Sequence, residues 1–397
     1  MAEKLLSRAA GKAVRAGELV ICKPDAVMGT DGSIPMALDY LRQMESEEKA
    51  ALPAPQQPHS VFFAFDHYGA GSGAAALALQ QRARVYAHEH GICVFEVGEG
   101  IGHQLMIERG LVLPGRLVAG ADSHAVCYGA LNAFGTGIGS SDLAGVLLCN
   151  QLWLKVPESM RVTLHGRLPP NVTAKDAALA LARRLGADGA NYLALEFEGA
   201  GVAALDMDDR IVLANMSVEM GAKAGLFPFD ECTSAYLAGR STDRGVPVWA
   251  GADAAYAASI EFDLDTLVPQ VALPHRVDQV VDLADAEATR VDVVYLGTCT
   301  GGRTKDFRAA LATLQAGGGV AKGVRLVVTP ASEAVRAELA AEGLLAQFEA
   351  LGAEIQPPGC GTCCGTCGTV PANGANVVST ANRNFKGRMG NRQAQIY

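Results

Sequence analysis

Apolar, β-prone runs alternate along this chain with Ala/Leu-rich stretches of helical character. "SVFFAF" (60–65) is followed by "AAALALQQRARVYAHEHG" (74–91) and then by "ICVFEV" (92–97). Later, "VDVVYLG", "FRAALATLQAG" and "VRLVVTP" repeat the pattern between residues 291 and 330. Unbroken apolar runs of this length suit strands covered on both faces, and their alternation with helical segments predicts parallel sheets flanked by helices. The Pro-rich "RLPPNVTAKDAALALARRLGA" after "WLKVPESM" signals a new unit near residue 151, and "LVPQVALPHRVDQV" signals another near 265–275. The expected organisation is three α/β domains, at 1–150, 151–268 and 269–397.

Composition narrows the class. A chain of 397 residues with 45 Gly and 49% hydrophobic content has the length for a large core and the make-up of a compact α/β enzyme. No apolar run approaches the ~18 residues that span a bilayer, and the N-terminal segment lacks a secretory apolar core, so a cytoplasmic protein away from membranes is expected. A formal charge of −9 without a Lys/Arg-rich run argues against nucleic acid or an anionic membrane as partner.

Ten cysteines without a secretory signal point to thiols or metal ligands rather than disulfides. Four of them, Cys360, Cys363, Cys364 and Cys367, crowd into "PPGCGTCCGTCGT". Flanking glycines permit the tight turn that aims two thiolates at one metal. Four ligands this close would crowd a tetrahedral zinc site, and a cysteine-rich surface loop is the bland alternative. A fifth, Cys299, sits in "YLGTCTGGR", where a β-run ends in a turn; strand ends of this kind carry sites in α/β folds. Two loop cysteines and Cys299 would supply three thiolates, the number that leaves one iron of a cubane cluster open to substrate.

Histidines beside carboxylates and Gly-rich turns suggest acid–base chemistry, because a carboxylate fixes the tautomer and raises imidazole basicity. "FAFDHYG" carries Asp66 and His67, "EGIGHQ" carries His103, and "GADSHAVCYG" carries Asp122, Ser123 and His124. A rival motif is "GAGSGA" (69–74), a permissive dinucleotide pattern with Glu96 placed to reach a ribose. It supports a nicotinamide-dependent dehydrogenase as an alternative, although that reading leaves the cysteines and histidines without a task.

Read in order, "EKLLSRAAG", "FEVGEGIGHQLMIERGLVLPGRLVAGADSH", "YGALNAFGTGIGSSDLAGVL", "LANMSVEMGAKAGLFPFD", "PQVALPH", "PGCGTC" and "STANRNFKGRMG" resemble the large subunit of the aconitase superfamily. The similarity runs over nearly the whole chain and is strongest to the isopropylmalate and homoaconitate branch of iron–sulfur hydro-lyases. It implies a 4Fe-4S cluster with one open iron, held by Cys299, Cys360 and Cys363, with Cys364 and Cys367 spare. It further implies catalytic pairs of Asp66 with His67, Asp122 with His103 and Glu219 with His124. Ser123, Asn215, Asn382, Arg383 and Arg388 would bind substrate, and paired guanidinium groups suit a dicarboxylate. The implied fold is aconitase-like, with parallel-sheet cores around a central iron–sulfur site and without the swivelling domain. A separate small subunit is therefore expected to supply that domain and its base.

Three departures surround the implied site: Gly301 where an asparagine is usual, "YGAGSG" in place of a Pro-containing turn after His67, and Thr30 before Asp31. The expected activity is dehydration and rehydration of a hydroxylated dicarboxylic acid, foremost the isomerisation of 3-isopropylmalate and 2-isopropylmalate in leucine biosynthesis. Homoaconitate, citraconate or a substituted maleate are alternative diacids, and an iron–sulfur sensor without turnover is a further class.

Overall fold

The computed structural model describes residues 1–69 and 72–397; two positions of "GAGSGA", Ala70 and Gly71, lie outside the described residues. Three parallel sheets dominate the mixed α/β architecture. The first has the strand order Cys93–Phe95, Val61–Ala64, Ala26–Thr30, Leu117–Gly120, Phe134–Gly137. Its middle strands Val61–Ala64, Ala26–Thr30 and Leu117–Gly120 are buried at every position, which accounts for their unbroken apolar runs. Helices Ala74–His90, Gly102–Glu108 and Ser140–Cys149 lie between or after these strands in the chain.

The second sheet runs Ala224–Leu226, Ala194–Glu198, Ser159–His165, Ala258–Asp263, and the third Glu354–Ile355, Arg325–Val328, Val293–Leu296, Asn376–Ser379, Gln395–Ile396. The neighbouring strands within both sheets are parallel. One apolar cluster joins Met28 and Phe62 of the first sheet's region to Val162, Leu195 and Phe197 of the second. Fully burying each such side chain is worth about 1.5–3 kcal/mol, so these two sheets share much of their packing energy. The third sheet is covered by its own cluster around Phe307, Leu326 and Phe348.

Two short antiparallel pairs complete the strand set. Leu19–Cys22 pairs with Leu152–Lys155, placing Ile21 opposite Trp153, and Gln270–Ala272 pairs with Val280–Asp282. At the seam between the first and second sheets, a Cβ on Gly129 would sit 1.8 Å from the Gly225 carbonyl oxygen. Only glycine allows that approach, which fixes the turn Ser123–Leu131 against strand Ala224–Leu226. Among the described residues, no helix is long and apolar enough to cross a membrane.

Candidate active site

The parallel sheets deliver their loops to a common cleft from strand C-terminal ends, the usual location of sites in α/β sheets. Strand Val61–Ala64 leads into Asp66 and His67, and strand Leu117–Gly120 into Asp122 and His124. His103 follows from the start of helix Gly102–Glu108. From the third sheet, strand Val293–Leu296 leads to Cys299, Glu354–Ile355 to Cys360 and Cys363, and Asn376–Ser379 to Asn382 and Arg383. The second region contributes Asn215 from helix Met207–Met216 and Glu219 from the turn Ser217–Met220.

Each of these three histidines meets a carboxylate. His67 Nδ1 lies 2.7 Å from Asp66 Oδ1, His103 Nε2 lies 2.8 Å from Asp122 Oδ1, and His124 Nε2 lies 3.0 Å from Glu219 Oε1. Asp122 joins the groups, since its other oxygen is 3.6 Å from His67 Nε2 and Oδ1 accepts the His124 backbone N–H at 2.9 Å. Burial alone would raise the Asp122 carboxyl, but hydrogen bonds and charge from His103 and His124 outweigh it and hold the group well below the ordinary carboxylate range. Burial opposes protonation of His67 too, yet the charge and hydrogen bond of Asp66, with Asp122 behind them, raise the imidazole well above its ordinary value. Glu219 follows Asp122: burial is overcome by His124 and Arg383, and its carboxyl is lowered.

The sulfur side is built differently. Cys299 Sγ accepts amide hydrogen bonds from Asn382 Nδ2 at 3.1 Å and Asn215 Nδ2 at 3.3 Å, and Cys363 Sγ accepts one from Arg388 Nη2 at 2.9 Å. The Tyr295 hydroxyl donates to the Cys360 carbonyl at 3.0 Å, anchoring the turn. Burial pushes the Cys299 thiol up to about 11, and burial with the charge of Asp66 raises Cys360 well above the ordinary thiol value. Cys299, Cys360 and Cys363 line the same cleft as His67, His103 and His124.

Arg383 also lines this cleft, but its Nε bonds both Glu219 oxygens at 2.8 and 3.0 Å, and Arg388 is turned toward Cys363. Ser123 opens the turn behind His124 and, among the described residues, does not line the cleft. Of the spare cysteines, Cys364 reaches the rim, where its Sγ lies 2.8 Å from Thr366 Oγ1, and Cys367 Sγ donates to the Gly361 carbonyl at 3.0 Å. Glu96, the proposed ribose ligand, is occupied by the Arg84 guanidinium.

Two residues that support the cleft escaped sequence reasoning. Asp31, fully buried, accepts from the backbone N–H groups of His67 and Tyr68 and from Gln80, and so fixes the His67 turn. Burial and the Asp66 charge raise it to about 6. Lys175 reaches Thr300, Thr380 and Ala381 behind the cysteines. A signal for Lys175 was present: a cation in the first turn of helix Ala174–Leu185 opposes the helix dipole. The departures acquire physical reasons as well. A Cβ at Gly301 would lie 2.4 Å from Thr380 Cβ, so the small residue accommodates that packing. Thr30 packs in the turn with Ser33, its Oγ1 3.1 Å from Ser33 Oγ.

Paired acids and bases facing grouped thiols suit removal and addition of water beside a carboxylate, and the class is that of the hydro-lyases. The chain belongs to the aconitase family (aconitate hydratase), whose pattern matches residues 3–397. The homoaconitase large subunit of Thermus thermophilus is 45% identical over 401 residues, spanning 100% of this chain and 92% of that protein. The 3-isopropylmalate dehydratase large subunit 1 of Thermotoga maritima is 43% identical over 401 residues, spanning 100% and 94%. Its namesake from Methanopyrus kandleri is 41% identical over 398 residues, again 100% and 94%. The crystal structure of Thermococcus kodakaraensis aconitase X in its holo-form matches with a TM-score of 0.53 at 14% identity, over 92% of this chain and 84% of that chain, a likeness of fold.

Proposed function

We propose that this chain is the large subunit of a cytoplasmic iron–sulfur hydro-lyase that interconverts 3-isopropylmalate and 2-isopropylmalate. The observation that carries the reading is the cleft in which three cysteines face three histidine–carboxylate pairs. The relatives named 3-isopropylmalate dehydratase support the substrate, and the words "large subunit" in their names support a separate small subunit. Free thiols at all ten cysteines suit a reducing compartment. The same reading divides the chain at 1–150, 151–268 and 269–397, supported by one parallel sheet within each range.

The residues fit a 4Fe-4S cluster on Cys299, Cys360 and Cys363. Thiols held as high as Cys299 ionise when a metal replaces the proton, and the N–H groups of Asn215, Asn382 and Arg388 aimed at sulfur suit the resulting anion. When bound, such a cluster with an open iron supplies Lewis-acid polarisation of the substrate hydroxyl and adjacent carboxylate.

The chain's own groups handle the proton and the charge. His67, kept protonated by Asp66 and Asp122, is the acid that delivers a proton to the departing hydroxyl. His103 and His124, linked through Asp122, hold the released water and return it during rehydration. Arg383 and Arg388 bind the substrate carboxylates, Arg383 by exchanging part of its contact with Glu219, and Asn382, held by Asn215 behind it, adds to the polar lining. The carbon-bound proton is assigned to a group of the small subunit, whose closure excludes water.

The test is to purify the chain anaerobically and assay it, with and without a candidate small subunit, on 3-isopropylmalate, homoaconitate and citraconate. Turnover foremost of 3-isopropylmalate, and only with the partner, is expected. Preference for homoaconitate would establish the second reading, which the 45% identical homoaconitase large subunit favours. Full turnover by the isolated chain would overturn the two-subunit assignment.

A further inference from the structure

Lys175 stands in the first turn of helix Ala174–Leu185, where its ammonium opposes the positive end of the helix. Its Nζ gives all three donors to the third region: Ala381 O at 2.7 Å, Thr380 O at 3.0 Å and Thr300 Oγ1 at 3.3 Å. The Thr380 carbonyl also accepts from Thr300 Oγ1 at 2.9 Å and Thr298 Oγ1 at 3.3 Å, so three donors converge on one oxygen beside Cys299. The residue after this clamp is Asn382, whose Nδ2 contacts Cys299 Sγ and, at 2.9 Å, Asn215 Oδ1. Among the described residues, Lys175 forms no ion pair with a carboxylate. Burial lowers it to about 8.

We propose that Lys175 is a positioning residue for the iron–sulfur site: it clamps the Thr380–Asn382 turn onto the Cys299 loop and offsets the negative charge of the bound cluster. The proposal rests on the cluster reading above. A carbonyl pair would serve a neutral donor equally well for geometry alone. What an ammonium adds is a positive charge beside ionised sulfur, in a position where a cation otherwise carries a cost. Net charge and hydrogen bonding around the sulfurs are the levers by which a protein sets cluster potential.

The experiment compares wild-type, Lys175→Met and Lys175→Arg chains after anaerobic reconstitution, by iron and sulfide content, by midpoint potential, and by the rate of iron loss in air. In the Met variant the potential is expected to fall, because the more negative reduced state loses its neighbouring cation, and iron loss should quicken roughly tenfold. The Arg variant should stay near the wild-type potential. Lys175→Gln, an uncharged donor, supplies the same comparison where the Met variant does not fold. A Met or Gln variant with unchanged potential and loss rate overturns the proposal alone, and an Arg variant shifted as far as either removes the role of charge. Wild-type chain that takes up no iron and sulfide overturns the cluster reading and this proposal with it.

Discussion

The two walls of the cleft solve opposite electrostatic problems. On the histidine wall, ionisable groups answer one another: Asp66 with His67, Asp122 with His103 and His124, Glu219 with His124 and Arg383. On the sulfur wall, Cys299 is met by neutral amides and Cys363 by one guanidinium, and burial favours the protonated thiol at Cys299. The first wall is balanced by its own side chains. On the proposed reading the second reaches its working charge only by ionising onto a cation, so that similar burial would serve proton transfer on one side and a metal seat on the other.

The largest effect is expected where the sulfur wall is broken. Cys299→Ser should abolish both the brown chromophore and turnover; full iron and sulfide in that variant after anaerobic reconstitution would sink the ligand assignment. Next comes the histidine wall. Asp122→Asn keeps shape but removes the charge shared by three histidines, and kcat should fall on the order of 100-fold or more while cluster content is retained. The same variant bears on pH. The carboxylates raise His67 above its ordinary value, so its acid form persists below that raised value and is lost as pH climbs through it. Without the Asp122 charge, the alkaline fall in kcat should move to lower pH. An unmoved alkaline limb would detach His67 from the acid step.

A smaller effect tests the residue that joins the walls. Arg383→Lys retains charge but loses the planar fork, and kcat/KM should drop roughly tenfold or more, equivalent to about 1.4 kcal/mol. Unchanged kinetics in intact holoenzyme would remove Arg383 from substrate binding. The smallest change is expected from Cys364→Ser combined with Cys367→Ser, with cluster content near wild type. Loss of the cluster there, with Cys360→Ser harmless, would shift the ligand register by one "GTC".

What could be read from the sequence tracks how local each signal is. "SVFFAF" announces a strand because burial on both faces imposes an unbroken apolar run, and Asp66–His67 adjoin in the chain as they do in space. The pairing of Leu19–Cys22 with Leu152–Lys155 is set by tertiary placement, and its four-residue alternations are too short to announce it. Lys175 bonds a carbonyl 206 positions away, and Asp31 fixes a turn 36 and 37 positions away, so neither announces its partner. Arg388 was legible as a site residue from its motif, while its contact with Cys363 required the fold. Gly301 was visible in the sequence as a departure beside the implied site, while its packing against Thr380 required the fold.

The distribution of the walls along the chain also fixes an order in time. His67, His103 and His124 all precede Gly137, the end of the first sheet's last strand, whereas the sulfur wall's central strand Val293–Leu296 pairs with Asn376–Ser379, which is made some eighty residues later on the ribosome. Asn382 and Arg388, which hydrogen-bond to the cysteines' sulfur, come later still. A nascent chain would thus complete the sheet beside its three histidines first, and the proposed sulfur ligands would gain their hydrogen-bond partners only as its last strand pairs emerge. Stalled nascent chains should take up iron and sulfide stably only when the stall point lets Asn376–Arg388 clear the exit tunnel, and uptake by shorter chains would show that the sulfur wall matures without those partners.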